Sequence, residues 1–153
     1  MHSAHYRTPD VFVGKRVLVV GGGNSGCDIV VEAAQFGEHA WHSTRRGYYY
    51  MPKYLFGRPS DQVGDMMLAL RIPLAVRRAI ASVSYRLLVG SPKKLGLPVP
   101  DHRLFETHPV VNTLLPYYVG QGDITPVGDI TRFDGHTVHF TDGRSSEFDL
   151  IVF

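Results

Sequence analysis

Cysteine is nearly absent: Cys27 is the only one in 153 residues. A disulfide framework and a thiolate zinc cluster are therefore excluded, and the composition fits a reducing, cytoplasmic compartment. A charge excess is missing too. Sixteen Lys and Arg against fourteen Asp and Glu leave +2, too balanced for a chain that coats nucleic acid, so no nucleic-acid partner is expected. No long hydrophobic run is present. The most apolar stretch, Met66 to Val89, carries Arg71, Arg77, Arg78 and Arg86 and is broken by Pro73, more than a membrane span tolerates. Met1 to Asp10 is polar and lacks the apolar stretch of a secretory signal. Internal repeats and low-complexity tracts are absent as well. What remains is a chain 44% hydrophobic and 20% charged, sufficient for the core of one domain.

Arg16 to Val20 is a short β-branched run ended by three glycines, the pattern of a buried strand in a parallel sheet. Cys27 to Phe36 reads as a helix whose apolar face is Ile29, Val30, Ala33, Ala34 and Phe36, with Gly37 at the expected C′ position. His39 to Thr44 alternates like a second strand. Residues 13–46 thus form a βαβ core. Residues 47–112 break the pattern and read as an insertion, mostly helical, in which Val76, Ile80, Val83 and Leu87 recur at helical spacing. Across residues 120–153 the period becomes two. Ile130–Phe133, His136–Thr141 and Phe148–Phe153 read as strands, with hairpin turns at Asp134-Gly135 and Asp142-Gly143. The expectation is an α/β fold: a Rossmann-like, three-layer dinucleotide-binding domain with a helical insertion, a β-meander and a last core strand. Because that last strand runs to Phe153 without a turn, a fragment of a longer protein is expected.

Gly21-Gly22-Gly23-Asn24-Ser25-Gly26 satisfies G-x-G-x-x-G between a strand and a helix, the context in which that motif binds dinucleotides. Gly21 allows the turn, Gly23 lets a pyrophosphate approach the backbone, and Gly26 lets the helix pack on the strand. The helix N-terminus offers free N–H groups and positive potential, and Asn24 and Ser25 can add side-chain donors. A site for NAD or FAD expects an acid at the end of the second strand, roughly 20 residues on. Here that strand end reads Ser43-Thr44-Arg45-Arg46, and the nearest acid, Glu38, precedes the strand. Thr44, Arg45 and Arg46 suit a 2′-phosphate, because guanidinium pairs with phosphate through a bidentate fork. The cofactor reads as NADP(H), against the plainer reading of Arg45 and Arg46 as surface arginines.

The core Gly-Asn-Ser-Gly-Cys-Asp over Gly23–Asp28, followed by Ser43-Thr44-Arg45-Arg46-Gly47, resembles the NADPH-binding domain of flavin-containing monooxygenases. His2-Ser3-Ala4-His5-Tyr6 resembles the end of that family's F-x-G-x-x-x-H-x-x-x-[FY] motif, with His2 as its histidine and Tyr6 as its aromatic. Gly57-Arg58-Pro59-Ser60-Asp61, His108-Pro109-Val110-Val111-Asn112 and Val138–Gly143 are similar to stretches of bacterial and plant members. Phe148–Val152 resembles the strand leading into the family's A-T-G-Y motif. The likeness implies an intact enzyme holding both NADP(H) and FAD on two dinucleotide-binding domains, the FAD domain lying outside this chain. It also implies a small-molecule substrate and O2. In that family NADPH reduces FAD, and the flavin C4a-hydroperoxide oxygenates a soft nucleophile, an amine nitrogen or a sulfide sulfur. The chain alone would then be inactive. Tyr6-Arg7 fits these monooxygenases better than the related Baeyer–Villiger enzymes, which remain an alternative. A stand-alone NADP-binding module is another, and a flavin disulfide reductase is disfavoured by the lone cysteine.

Other features read more plainly. His39 and His42 lie three apart on a strand and so point to opposite faces; with no acidic or thiol companions, no metal site is expected. His2 reads as an orienting residue or a solvated terminal histidine, and Cys27 as a small packed side chain rather than a reactive thiol. Asp28 complements the helix dipole. Arg71 to Lys94 holds six basic residues and no acid, read as a solvated face or an interdomain contact, with contact to anionic lipid as the lesser alternative. Tyr48, Tyr49 and Tyr50 either line a channel or cover apolar surface. No catalytic residue is identifiable.

Overall fold

The computed structural model describes every residue except Phe56 and His108; of Leu88 it describes the backbone alone. Four strands form a parallel sheet in the order β11-β1-β2-β7: β1 is Arg16–Val20, β2 His39–Ser43, β7 Ile124–Val127 and β11 Leu150–Val152. Helices α1 (Asn24–Phe36) and α4 (Leu114–Gln121) cover one face. The other face is covered by an antiparallel meander of β8 (Ile130–Asp134), β9 (Thr137–Phe140) and β10 (Ser145–Glu147). The three-layer α/β expectation holds, with helices on one side and strands on the other.

Strand alternation assigns each side chain to a layer. Val17, Val19, Ala40, Ile124 and Val152 pack against Cys27, Val30, Ala33, Leu115 and Val119 of the helices. Leu18, Trp41, Val127 and Ile151 face Val138, Phe140 and Phe148, and the Trp41 and Phe148 rings meet edge to face at 5.1 Å. Each fully buried Val, Leu, Ile or Phe among them contributes about 1.5–3 kcal/mol of transfer free energy.

Strand β1, helix α1 and strand β2 follow one another as a βαβ unit, with α1 starting at Asn24 rather than Cys27. Gly37 caps α1 with φ −84 and ψ 177, extended backbone that any residue can adopt. It is glycine for space: a Cβ there would meet the Ala33 carbonyl oxygen at 2.6 Å and that of Lys15 at 3.0 Å. The turns at Gly135 and Gly143 do use left-handed backbone, φ 60 and 82.

Besides β10, which the sequence reading does not include, two further elements beside the sheet depart from it. Ile124–Val127 is a strand of the parallel sheet, and α4 precedes it. Both contain proline, which the structure accommodates. Pro126 lies on the edge strand, where a missing N–H costs no ladder bond. Pro116 lies in the first turn of α4, where N–H groups have no helical acceptor. Residues 47–112 contain α2 (Ser60–Ala69), α3 (Leu74–Leu88) and four two-residue strands, β3 (Tyr50–Met51), β4 (Tyr54–Leu55), β5 (Arg58–Pro59) and β6 (Val110–Val111). Helix α3 spans the expected residues but turns Val76, Ile80, Val83 and Leu87 outward, while Ala81 and Tyr85 are buried. Among the described residues no helix is long and apolar enough to cross a membrane.

Candidate functional site

A crevice of about 190 Å³ opens at the carboxyl end of the sheet, between β1 and β11. The chain leaves β1 on the helical face to reach β2 but arrives at β11 by way of the meander on the opposite face. The crevice therefore lies where the strand order reverses, the position at which open α/β sheets bind ligands. Val19, Val20, Gly21, Gly23, Gly26, Ile29 and Val152 are among its walls. Ser3 and Phe153 close one side, joined by a hydrogen bond from the Ser3 N–H to the Phe153 carbonyl.

Each glycine of the loop has a different reason to be glycine. Gly21 adopts φ +119, a conformation L side chains rarely reach. A Cβ on Gly22 would enter the ring of Tyr48, 2.1 Å from Cε2, and one on Gly26 would stand 2.4 Å from the Gly21 carbonyl oxygen. Gly23 is exposed and is the N-cap of α1; a Cβ there would meet nothing within 4 Å. The space over Gly23 is thus open to a ligand. The first turn of α1 carries no acid that would cancel the positive end of the helix.

Asn24 and Ser25 are exposed on that first turn. The Asn24 Oδ1 accepts the Val111 N–H at 2.9 Å, so its carbonyl end is engaged by β6 and its amide N–H groups are its remaining donors. One turn on, Asp28 accepts from the Asn112 Nδ2 at 2.8 Å, and the Asn112 Oδ1 accepts the Leu115 N–H at 2.7 Å. Val111 and Asn112 thereby fasten the end of the inserted segment to the glycine-loop helix. His108 of the same motif lies outside the described residues.

Thr44, Arg45 and Arg46 follow β2, which runs parallel to β1 in register from Arg16↔His39 to Val20↔Ser43. The glycine loop and the two arginines therefore emerge from adjacent strands at the same end of the sheet. Thr44 is buried, whereas Arg45 and Arg46 are exposed. The Arg46 guanidinium lies 5.6 Å from the centroid of the Tyr48 ring, so Tyr48 stands between Arg46 and Gly22. The carboxyl of Asp101 is held below its usual range first by its hydrogen bond with His102, with Arg46 adding to the effect.

The three consecutive tyrosines go to three places. Tyr48 packs on the loop, Tyr49 meets Tyr85 and His102 edge to face, and Tyr50 is buried in the main core. Tyr6 stacks on Phe12 and its hydroxyl donates to Glu32 of α1, while the His2 Nδ1 accepts the Ala4 N–H. Cys27 is wholly buried and its thiol is pushed up to about 12, by burial first. Among the described residues no three His, Cys, Asp or Glu side chains converge as a metal site would require.

Sequence reasoning passed over the buried imidazole of His42, weighing it only as a metal ligand. Its Nε2 lies 2.8 Å from the Gly21 carbonyl oxygen. A polar residue at an inward position of a core strand was its only signal.

The sequence matches the family described as flavin-binding monooxygenase-like over residues 1–153, and the chain belongs to that family. It is 31% identical over 157 residues to flavin-containing monooxygenase 5 of Homo sapiens, covering 99% of this chain and 29% of that protein. It is 29% identical over 160 residues to indole-3-pyruvate monooxygenase YUCCA8 of Oryza sativa, covering 100% of this chain and 38% of that one. The chain thus spans about a third of the length of these relatives. Among solved structures, cyclohexanone monooxygenase in its closed form superimposes with a TM-score of 0.67 at 18% identity, over 100% of this chain and 40% of that one. Oxidized steroid monooxygenase bound to NADP gives 0.64 at 19% identity, over 99% and 41%. At those identities the likeness is one of fold.

Proposed function

We propose that this chain is the NADP(H)-binding domain of an FAD-dependent monooxygenase and that it works only with the FAD domain of the intact protein. The observation carrying this reading is the open approach over Gly23, at the N-terminus of α1, whose first turn carries no acid, and beside the point where the strand order reverses. Gly21, Gly23, Asn24, Ser25 and Gly26 would hold the pyrophosphate through backbone N–H groups and the side chains of the first turn. Thr44, Arg45 and Arg46 would hold the 2′-phosphate, with Tyr48 supporting Arg46 from below. The coenzyme supplies hydride to the flavin when bound. This chain's own part is to fix the coenzyme's phosphates and to wall one side of the cleft. The relatives' names support oxygenation of a small molecule with O2, and an amine nitrogen or sulfide sulfur is the substrate class we assign.

Titration calorimetry with NADP⁺ and NAD⁺ tests the reading. NADP⁺ is expected to bind at least about tenfold more tightly, and Arg45→Glu with Arg46→Glu is expected to abolish the preference. Equal affinity for the two nucleotides would refute the 2′-phosphate assignment. Stoichiometric flavin on the purified chain would refute the assignment of FAD to another domain. The fold likeness to cyclohexanone monooxygenase supports a second reading, part of a Baeyer–Villiger enzyme, which differs in substrate and not in this coenzyme site.

A further inference from the structure

His42 occupies an inward position on β2, in register with Val19 of β1 and Pro126 of β7, and is 1% exposed. An aliphatic side chain would satisfy that position in a parallel sheet. The imidazole instead makes one hydrogen bond, to the Gly21 carbonyl at 2.8 Å. A carbonyl only accepts, so Nε2 carries the proton and the ring is the Nε2–H tautomer. Nδ1 is then a bare acceptor, buried and without a partner among the described residues. Burying an unpartnered nitrogen is unfavourable, and what the position obtains in return is control of Gly21. The Gly21 N–H donates to the Ser43 carbonyl at 2.9 Å, so both backbone polar groups of Gly21, one on each of its flanking peptides, are held by β2. The same carbonyl oxygen is the atom against which the first turn of α1 closes at Gly26.

We infer that His42 is a positioning residue for the dinucleotide loop: it holds the Gly21 carbonyl so that Gly23 and the first turn of α1 present their N–H groups to a pyrophosphate. This rests on the nucleotide-binding reading above for its ligand and on the geometry alone for its action on Gly21.

The test uses the whole chain in wild type, His42→Leu and His42→Gln. Glutamine can place an amide N–H near the position of Nε2; leucine fills the space without a donor. Three quantities are measured: the tautomer of His42 by nitrogen NMR, the exchange rate of the Gly21 amide, and the affinity for NADP⁺ by calorimetry. The expected results are an Nε2–H tautomer, faster Gly21 exchange and about tenfold weaker NADP⁺ binding in His42→Leu, and recovery of both in His42→Gln. An Nδ1–H tautomer, unchanged exchange in His42→Leu, or equal losses in the two variants would overturn the inference. If the wild type does not bind NADP⁺, the nucleotide reading fails on its own account, and the exchange rates still decide whether His42 positions Gly21.

Discussion

The Gly21 carbonyl oxygen and the α-carbon of Gly26 approach so closely that a methyl group on Gly26 would lie 2.4 Å from that oxygen. Strand β1 and helix α1 meet at this point, with backbone on both sides and no flexible side chain to yield. Gly26→Ala must therefore displace the start of α1, at about 1–3 kcal/mol of stability. Gly23→Ala is the contrasting case: its φ of −75 suits alanine, and the added methyl meets nothing. It is expected to cost about 1 kcal/mol or less, the difference between glycine and alanine at an N-cap, while lowering NADP⁺ affinity by at least about tenfold because the methyl fills the approach of the pyrophosphate. Denaturant melts beside calorimetry check the pair. Loss of stability without loss of binding in Gly23→Ala would place the phosphates elsewhere.

Asn112 joins the inserted segment to the nucleotide helix by donating to Asp28 and accepting from the Leu115 N–H while only 3% exposed. Asn112→Ala leaves a buried N–H at the start of α4 without a partner, so a loss of about 1–3 kcal/mol is expected in urea unfolding. Asn112→Asp keeps the acceptor but sets a second carboxylate against Asp28, and it is expected to be destabilised at neutral pH and to recover partly in mild acid. A shift in urea midpoint that is the same for Asn112→Asp at pH 7 and pH 4 would contradict this account.

These contacts also mark what can be read from sequence. The run Arg16–Val20, the glycine loop and the hairpin glycines are legible because each imposes a local backbone requirement that few residues meet. Strand β7 is not, since Ile-Thr-Pro-Val resembles a loop unless the strand is known to lie on the sheet edge, where Pro126 is tolerated. The helical period of α3 is legible, but the side it buries is not: its aliphatic stripe points outward, and Ala81 and Tyr85 pack inward. Within the site, the glycines and the two arginines announce themselves by type and spacing. His42 and Tyr48 do not, because each is tied to the loop only by a contact, the first with the backbone of a residue 21 positions away. Such contacts exist only once β1 and β2 lie side by side.

Two carboxylates fasten the meander and the last strand to the sheet, and both titrate in acid. Asp142 is held down to about 2 mainly by its hydrogen bond with Arg144, and it also accepts the Gly128 N–H. Asp149 is held to about 2 mainly by its bond with Arg16, whose backbone N–H it also accepts. With folded values below the unfolded value of about 3.9, the unfolded chain binds more protons between these limits. The stabilisation is therefore complete above about pH 4 and lost as pH falls toward 2. Urea midpoints across that range should fall, and the fall should be shallower in Asp142→Asn, which at pH 7 should itself lose no more than about 1 kcal/mol because the pair is solvent-screened. A parallel decline in wild type and variant would remove Asp142 from the acid transition.

Cys27 sets two influences against each other. It lies in the first turns of α1, where the helix end favours a thiolate, but it is fully buried, and its thiol faces the Gly22 carbonyl at 3.8 Å. Desolvation wins and pushes the thiol up to about 12. At pH 8 a disulfide reagent should therefore label Cys27 only when the loop and helix open, at a rate insensitive to reagent concentration once opening limits it. Because a nucleotide bound over Gly23 is expected to stabilise the closed form, saturating NADP⁺ should slow the labelling further, by the factor its affinity dictates. Labelling within seconds at stoichiometric reagent would mean that the thiol is ionised and accessible. Labelling indifferent to NADP⁺ would mean that the coenzyme does not bind over the residues that bury it.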